Sequence, residues 1–444
     1  MNEYNISWFL DRLHDRSAKG LARQLSALIQ SSMIPVGTRL PPIRNLAFAL
    51  QVSPATVSIA WNELRKRGII AGRGRLGMHV CNSFIAPRPV RRSASLNHES
   101  FKFDLTSYTP DLSLLPSIQT ALQALKSNIP NMNLYDTETI TPALRTTCAN
   151  HWPYAAEDFM ATNGAYSALF DSMQALIPAG SIVAVEDPTP VRVLDLLDHL
   201  SVSIIAVRSD AQGISPASLA NALTLKPTAF YLQPNINAIT GNRMSLPRLQ
   251  KLATILNTHP ETWIIENDAF PFFSSTPAHS LGEWLNDRVI HIRSFSKVLG
   301  PDLRMGVLSA SSRIIEEIQA FRGFGSAWTS RILQTLTSHL LNDDRTYRII
   351  HHAYQNYQNR RKKIAQNLRK KGMKIETGEG FSFWIPVIDD NTSYQYLKKN
   401  NIGVSLGRKC SLLPNPHIRF SISHLNDGFE VLSSYLYNST KKDI

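Results

Sequence analysis

Cysteine is scarce in this chain: Cys81, Cys148 and Cys410 are all there is in 444 residues. Three scattered cysteines exclude a disulfide framework or a cysteine-rich metal site, and they suit reduced thiols in a cytoplasmic protein. Long apolar runs are also missing, since no stretch approaches the ~18 uninterrupted apolar residues that a membrane span needs. The opening MNEYNISWFLDRLHDRSAKG has acidic residues and no long apolar core, unlike a secretory signal. Acidic residues are thin in one region above all. Residues 1–103 carry 15 Lys/Arg against 5 Asp/Glu, so +10 of the +13 net charge sits in the first quarter and +3 in the other 341 residues. That distribution suggests a polyanion-binding head on a near-neutral body. A chain of this length is also expected to form more than one hydrophobic core.

In the head, KGLARQLSALIQSSMI sets Leu21, Leu25, Leu28 and Ile29 at helical spacing. PVGTRLPP is a turn whose prolines stop one helix and open the next, and IRNLAFALQ reads as a short helix burying Ile43, Leu46, Ala47 and Leu50. In VSPATVSIAWNELRKRG, Ser53 is placed to cap a helix, Pro54 to be its first residue and Gly68 to stop it. Val57, Trp61 and Leu64 share one face, while Thr56, Ser58, Ile59 and Asn62 lie toward the other. Two short helices around a tight turn, the second with a small polar outer face, predict a helix-turn-helix. IIAGRGRLGMHV follows as two apolar ends around a Gly/Arg-rich middle, the pattern of a two-stranded wing.

The order of these motifs resembles the GntR family of winged helix-turn-helix regulators. The resemblance places Arg39 and Arg44 against double-stranded operator DNA, Thr56 and Ser58 at the front of the recognition helix, and Arg73 and Arg75 in the wing. Arginines suit phosphates and guanine edges, and small hydroxylic residues let a helix approach the groove. Residues 81–103 have two prolines, polar filler and no periodicity, and read as a linker between a head at 1–80 and a body at 104–444.

The body alternates short β-branched runs (SIVAVED, VSIIAV, TAFYLQP, TWIIEND, RVIHIRSFSK) with amphipathic stretches such as LPRLQKLATILNTH. That alternation predicts an α/β body, a mostly parallel sheet covered by helices, with ligands at the carboxyl ends of the strands. One such end runs into Ser294, Ser296 and Lys297. An amine beside hydroxyls suits a phosphorylated aldehyde, which a lysine captures as a Schiff base.

The body resembles the fold-type I aminotransferases that use pyridoxal 5′-phosphate. SFSKVLGPDLRMG follows that family's cofactor-lysine motif except for one residue of spacing before the proline. The resemblance implies that Lys297 bonds the cofactor, with Ser294, Ser296 and Arg304 near its phosphate. It makes ATNGAYSAL the phosphate cradle, with backbone N–H groups of Gly164, Ala165 and Tyr166, and it sets Asn237 of QPNINAITG against the ring hydroxyl. Tyr135 of NLYDTETITPALR would reach the partner subunit's phosphate in a homodimer, and Arg419 of PHIRFSIS would grip an effector carboxylate. A GntR head on such a body is the architecture of MocR-type regulators, whose body senses an effector and dimerises.

Several positions depart from the enzyme pattern. Asn267 stands where an Asp pairs with the pyridine nitrogen, Phe270 where a Tyr bonds the ring hydroxyl, Pro190 where an aromatic ring stacks, and Ile140 where a glycine is usual. Asp268 is adjacent to Asn267, on the opposite side if the strand continues through it. An Asn supplies no negative charge to keep the pyridine nitrogen protonated, so capture is retained and transamination is degraded. The expectation is a regulator that binds pyridoxal 5′-phosphate and senses an amino compound or the cofactor itself. The alternatives are a working aminotransferase with an accessory head, and a regulator whose body no longer takes the cofactor.

Overall fold

The computed structural model describes residues 5–30, 33–72, 77–81, 89, 91, 100–125, 135, 138–274 and 276–441. The chain forms two compact units. One comprises Met1–Leu96 with Pro178–Ser181 and Asp195–Ser203, and the other takes the remaining residues.

Among the described residues of the first 80 are four helices: α1 (Ile6–Leu10), α2 (Ala18–Gln30), α3 (Ile43–Leu50) and α4 (Pro54–Lys66). Leu21, Leu25 and Ile29 of α2 pack with Val57, Trp61 and Leu64 of α4 in one buried cluster, as the helical spacing predicts. Ser53 caps α4, its Oγ accepting from the Thr56 N–H at 3.1 Å, and Gly68 takes φ 69° just past the helix end. The α3–α4 corner is closed by Gln51 in the left-handed region at φ 55°. Strands β1 (Ile70–Ala71) and β2 (His79–Val80) pair antiparallel as the wing. Helix α1 lies in a stretch whose periodicity gave no signal. Asn5 caps it by accepting from the Trp8 N–H at 3.0 Å, and Phe9 anchors it in the core.

In the second unit, short strand β3 (Phe103–Asp104) precedes the main sheet. The sheet holds β4 (Asp158–Thr162), β5 (Ile182–Asp187), β6 (Ser203–Asp210), β7 (Gly213–Ile214), β8 (Ala229–Leu232), β9 (Trp263–Asp268), β10 (Val289–Ser294) and β11 (Gly306–Ala310). Their order is β4-β11-β10-β9-β8-β5-β6-β7. Neighbours from β10 through β9 and β8 to β5 run parallel, while β11 is antiparallel to both β10 and β4. All residues of β8 and β10 are buried, as befits parallel strands covered on both faces. Polar residues therefore collect at the carboxyl ends, where Asp187, Gln233, Asn267 and Ser294 leave the sheet.

A smaller sheet joins β12 (Ser382–Pro386), β14 (Ser405–Leu406) and β15 (His417–Ser421), with β13 (Ile402–Gly403) paired to β3. The 27-residue helix Asp344–Lys370 buries Tyr357, Ile364 and Leu368 in a core shared with Phe383 of β12 and Phe420 of β15. Among the described residues, no helix is long and apolar enough to cross a membrane.

Candidate functional site

The helix Ala165–Leu176 begins at Gly164, which takes φ 89° where β4 turns into the helix. The first N–H groups of a helix lack partners inside it, and the helix dipole favours an anion there. Two close approaches hold this end open. A Cβ on Gly306 would sit 2.9 Å from the Ala165 N, and one on Gly164 would sit 3.1 Å from a terminal nitrogen of Arg304. The Arg304 guanidinium donates to the Asn163 carbonyl at 2.9 Å, which parks a cation beside the helix start. Ser294 pairs in register with Gly306 and its Oγ accepts from the Ser296 N–H at 3.4 Å. The structure thus brings Gly164, Ala165 and Arg304 together at one helix start, with Ser294 on the strand beside Gly306.

Lys297 follows in the turn after β10. The residue is half-buried, but its amine end lies in an apolar wall, 3.6 Å from the centre of the Phe270 ring and 5.7 Å from that of Phe381. Burial first, and the Arg419 charge second, bring its amine down to about 7. A neutral amine near pH 7 is a nucleophile, and an ordinary lysine is not.

On β9, Asn267 is buried and donates from Nδ2 to the Tyr231 hydroxyl at 3.0 Å. Its Oδ1 is buried without a partner. Burial, then nearby Tyr166, push the Tyr231 hydroxyl well above its usual range, so it stays neutral. Asp268 does not join this group. It faces the other side of β9, where its Oδ2 accepts from Arg293 Nε at 3.2 Å and both are buried. That placement follows the strand alternation, which sets Asp268 on the side away from Asn267. Asn237 is also spent elsewhere. Its Oδ1 accepts from the Ile239 and Thr240 N–H groups at 2.9 and 3.1 Å, and its Nδ2 donates to the Pro188 carbonyl at 3.3 Å. It shapes its own loop and leaves little for a ring hydroxyl.

Arg419 lies on β15, buried, with its guanidinium 3.5 Å from the centre of the Tyr108 ring. One terminal nitrogen donates to the Ala238 carbonyl at 2.9 Å and to Ser382 Oγ at 3.0 Å, and Nε approaches the same Oγ at 3.3 Å. A bidentate grip on a carboxylate needs two adjacent nitrogens, and here one edge of the fork is already engaged. Tyr135 is 94% exposed, its ring 5.8 Å from that of Trp328.

In the head, Arg39, Arg44 and Asn62 are exposed, and Thr56 and Ser58 are half-buried on the outer side of α4. Thr56 Oγ1 shares a 2.9 Å hydrogen bond with the cap Ser53. Ile59 is 58% exposed on the same side. Arg73 and Arg75 lie outside the described residues.

Sequence reasoning missed Tyr231, Tyr108, Ser382 and Arg293, which partner Asn267, Arg419 and Asp268. It also missed Glu186, a buried carboxyl at the end of β5 that accepts from the Gln233 N–H at 2.8 Å and that burial raises to about 7. Their signal lay only in strand register, since each pairing joins residues far apart in the chain.

Comparisons with known proteins agree with the two-part reading. The model for bacterial regulatory proteins of the gntR family matches residues 17–80, and the model for aminotransferase class I and II matches residues 101–432. The vitamin B6 salvage pathway transcriptional repressor PtsJ of Salmonella typhimurium is 30% identical, over 88% of this chain and 90% of that one. The HTH-type transcriptional regulator TauR of Rhodobacter capsulatus is 26% identical over 82% and 83%. Among solved structures, Pyrococcus horikoshii kynurenine aminotransferase in complex with PMP superposes with a TM-score of 0.71 at 20% identity, covering 80% of this chain and 96% of that one. Aspartate aminotransferase of Thermus thermophilus with maleate gives 0.68 at 18% identity, over 79% and 93%.

Proposed function

The chain belongs to the MocR-type transcriptional regulators, a gntR-family DNA-binding head joined to an aminotransferase class I and II body, and on that premise we propose that its body takes pyridoxal 5′-phosphate through Lys297 and that occupancy by this cofactor is the signal. The head is taken as residues 1–80 and the body as 104–444.

The observation that carries this reading is the unequal equipment of the pocket. The residues fit the cofactor in outline: a helix start that a Cβ would fill, an amine brought down to about 7, and an orphaned buried acceptor on Asn267. When bound, the cofactor supplies an aldehyde to an amine and a phosphate to a cradle. Arg304, with the N–H groups at the start of helix Ala165–Leu176, holds the dianion. Lys297 offers a neutral amine from the face of the Phe270 ring. Asn267, held by Tyr231, leaves an uncharged acceptor that only a protonated ring nitrogen would meet, and it carries no charge to keep that proton in place. The carboxylate next to it in the chain, Asp268, is paired with Arg293, so its charge is spent on that partner. Phe270 contributes a face and no hydroxyl. Capture is supported and turnover is not.

The name of PtsJ favours a B6 vitamer as the ligand of this chain too. An amino compound is the second reading, favoured by Arg419, whose charge reaches Lys297. Its engaged fork argues for the cofactor alone. Homodimerisation belongs to the same reading, with Tyr135 reaching the partner's cradle.

The test pairs a spectrum with a DNA-binding measurement. Purified protein given pyridoxal 5′-phosphate is expected to gain absorption near ~420 nm, lost in Lys297→Ala. Its affinity for a duplex from the region upstream of its own gene is expected to change with the cofactor in the wild type only. No band at saturating cofactor overturns the cofactor assignment, and a band with unchanged DNA affinity overturns the sensing role.

A further inference from the structure

The body is near neutral as a whole, but its charge is unevenly placed. Residues 344–374 hold ten Lys/Arg and one acid, Asp344, a balance of +9, while residues 104–444 together total +3. The rest of the body is therefore at −6. Most of this segment is the single helix Asp344–Lys370.

Two of its cations point inward. Arg360 pairs with Asp111 at 2.7 Å, and buried Arg361 donates to the carbonyls of Thr377 and Ser382. Two more are tied down at the ends, Arg345 by Asp343 and Arg369 by the Ile375 carbonyl and the Thr377 hydroxyl. Of the other six, Lys363 lies over the Phe429 ring, Lys371 and Lys374 come after the helix, and three stand in a stripe. Arg348, His352, Gln355, Asn359, Lys362 and Lys370 are all exposed, and the steps between the first five are three or four residues, which keeps them on one helix face. From Arg348 to Lys370 the helix rises ~33 Å at ~1.5 Å per residue, close to one turn of duplex DNA at ~34 Å.

A solvated helix face does not account for this pattern. Such faces are usually laced with Glu and Lys four residues apart, yet no acid follows Asp344 anywhere in the helix. The helix dipole favours cations in the last turn, which covers Arg369 and Lys370. It disfavours a cation near the start, where Arg348 stands. None of Arg348, Lys362 or Lys370 meets a carboxylate at ion-pair distance among the described residues. The stripe offers cations and amide or imidazole donors and no carboxylate, the chemistry that meets a phosphate backbone without reading bases.

We propose that the outer face of helix Asp344–Lys370 is a second, sequence-independent contact for duplex DNA, separate from the helix-turn-helix. A regulator that already binds DNA through its head then holds a longer duplex through its body.

The test uses the full chain and an 80-base-pair random-sequence duplex, a probe length chosen at about eight helical turns. Affinity is measured from low to moderate salt for the wild type and for Arg348→Glu/Lys362→Glu/Lys370→Glu. With log K falling by about 0.9 per phosphate contact for each log unit of salt, removal of three contacts lowers the slope by nearly 3. Affinity at low salt is expected to drop at least tenfold, with the thermal midpoint unchanged. The neutral variant Arg348→Gln/Lys362→Gln/Lys370→Gln guards against a folding defect and is expected to give the same loss of slope. The charge-preserving variant Arg348→Lys/Lys362→Arg/Lys370→Arg is expected to bind as the wild type does. Wild-type slope and affinity in both charge-altered variants overturn the proposal. So does a loss confined to phosphatidylserine vesicles, which assigns the stripe to an anionic lipid surface.

Discussion

The two ends of the body's pocket make different demands on the same fold. At the end proposed for the phosphate, Gly164, Gly306 and Arg304 are held so closely that a Cβ at Gly306 would meet the helix start and one at Gly164 would meet Arg304. At the ring end, the acid is an amide, the hydroxyl is a phenyl ring, and the loop amide of Asn237 is bonded to its own neighbours. The first end is built from backbone and helix geometry, which few substitutions can alter without breaking the turn. The second is built from single side chains, which can be exchanged one at a time. Binding and electron withdrawal are thus carried by separable parts, and a pocket can keep one and shed the other.

The contrast breaks most sharply at Arg304. A charge-assisted contact is worth ~1.5–3 kcal/mol, so Arg304→Gln is expected to weaken cofactor binding by roughly 10- to 150-fold. A titration followed by absorbance measures this, and a change under threefold would mean the cradle works through backbone alone. Next is the pH dependence of capture. With the folded-state amine at about 7, lowered from the usual lysine value, Lys297 is protonated below that pH and nucleophilic above it. The rate of capture is expected to rise about tenfold from pH 6 to 8 and then level off. A rate still climbing at pH 9 would give Lys297 an ordinary amine. The smallest effect is expected at the ring end. Asn267→Asp with Phe270→Tyr adds one charged and one neutral contact, but the charge goes into a buried site, so binding should tighten by only about threefold. Its clearer readout is keto acid formed from an added amino acid in a single turnover, absent in the wild type. Equal keto acid formation by both proteins would sink the view that these two positions disable the chemistry.

Much of this was legible in the sequence. The cap at Ser53, the apolar face of α4 and the wing pairing follow from local spacing, because a helix or hairpin is decided by residues near one another. Lys297 and the departures at Asn267 and Phe270 could be read from motifs. The partners of those residues could not. Tyr231 meets Asn267 across 36 positions, Arg293 meets Asp268 across 25, and Ser382 meets Arg419 across 37. Each depends on which strands are neighbours and in what register, and periodicity says nothing about either. Strand alternation did anticipate that Asp268 would face away from Asn267, but only the ion pair with Arg293 explains why its charge is unusable. Helix α1 was missed because one buried ring, Phe9, and one cap, Asn5, are too little signal for a five-residue helix.

The hold of Ser382 and Ala238 on Arg419 also bears on how such a sensor would behave inside a cell. Free amino acids are abundant there, and all of them carry the carboxylate that an open arginine fork would seize. A pocket with a free fork would be crowded at all times by molecules that say nothing about vitamin supply. With one edge of the fork held from within, a body that works as proposed would offer such molecules a weaker grip, and a small residue on β12 would act as a filter.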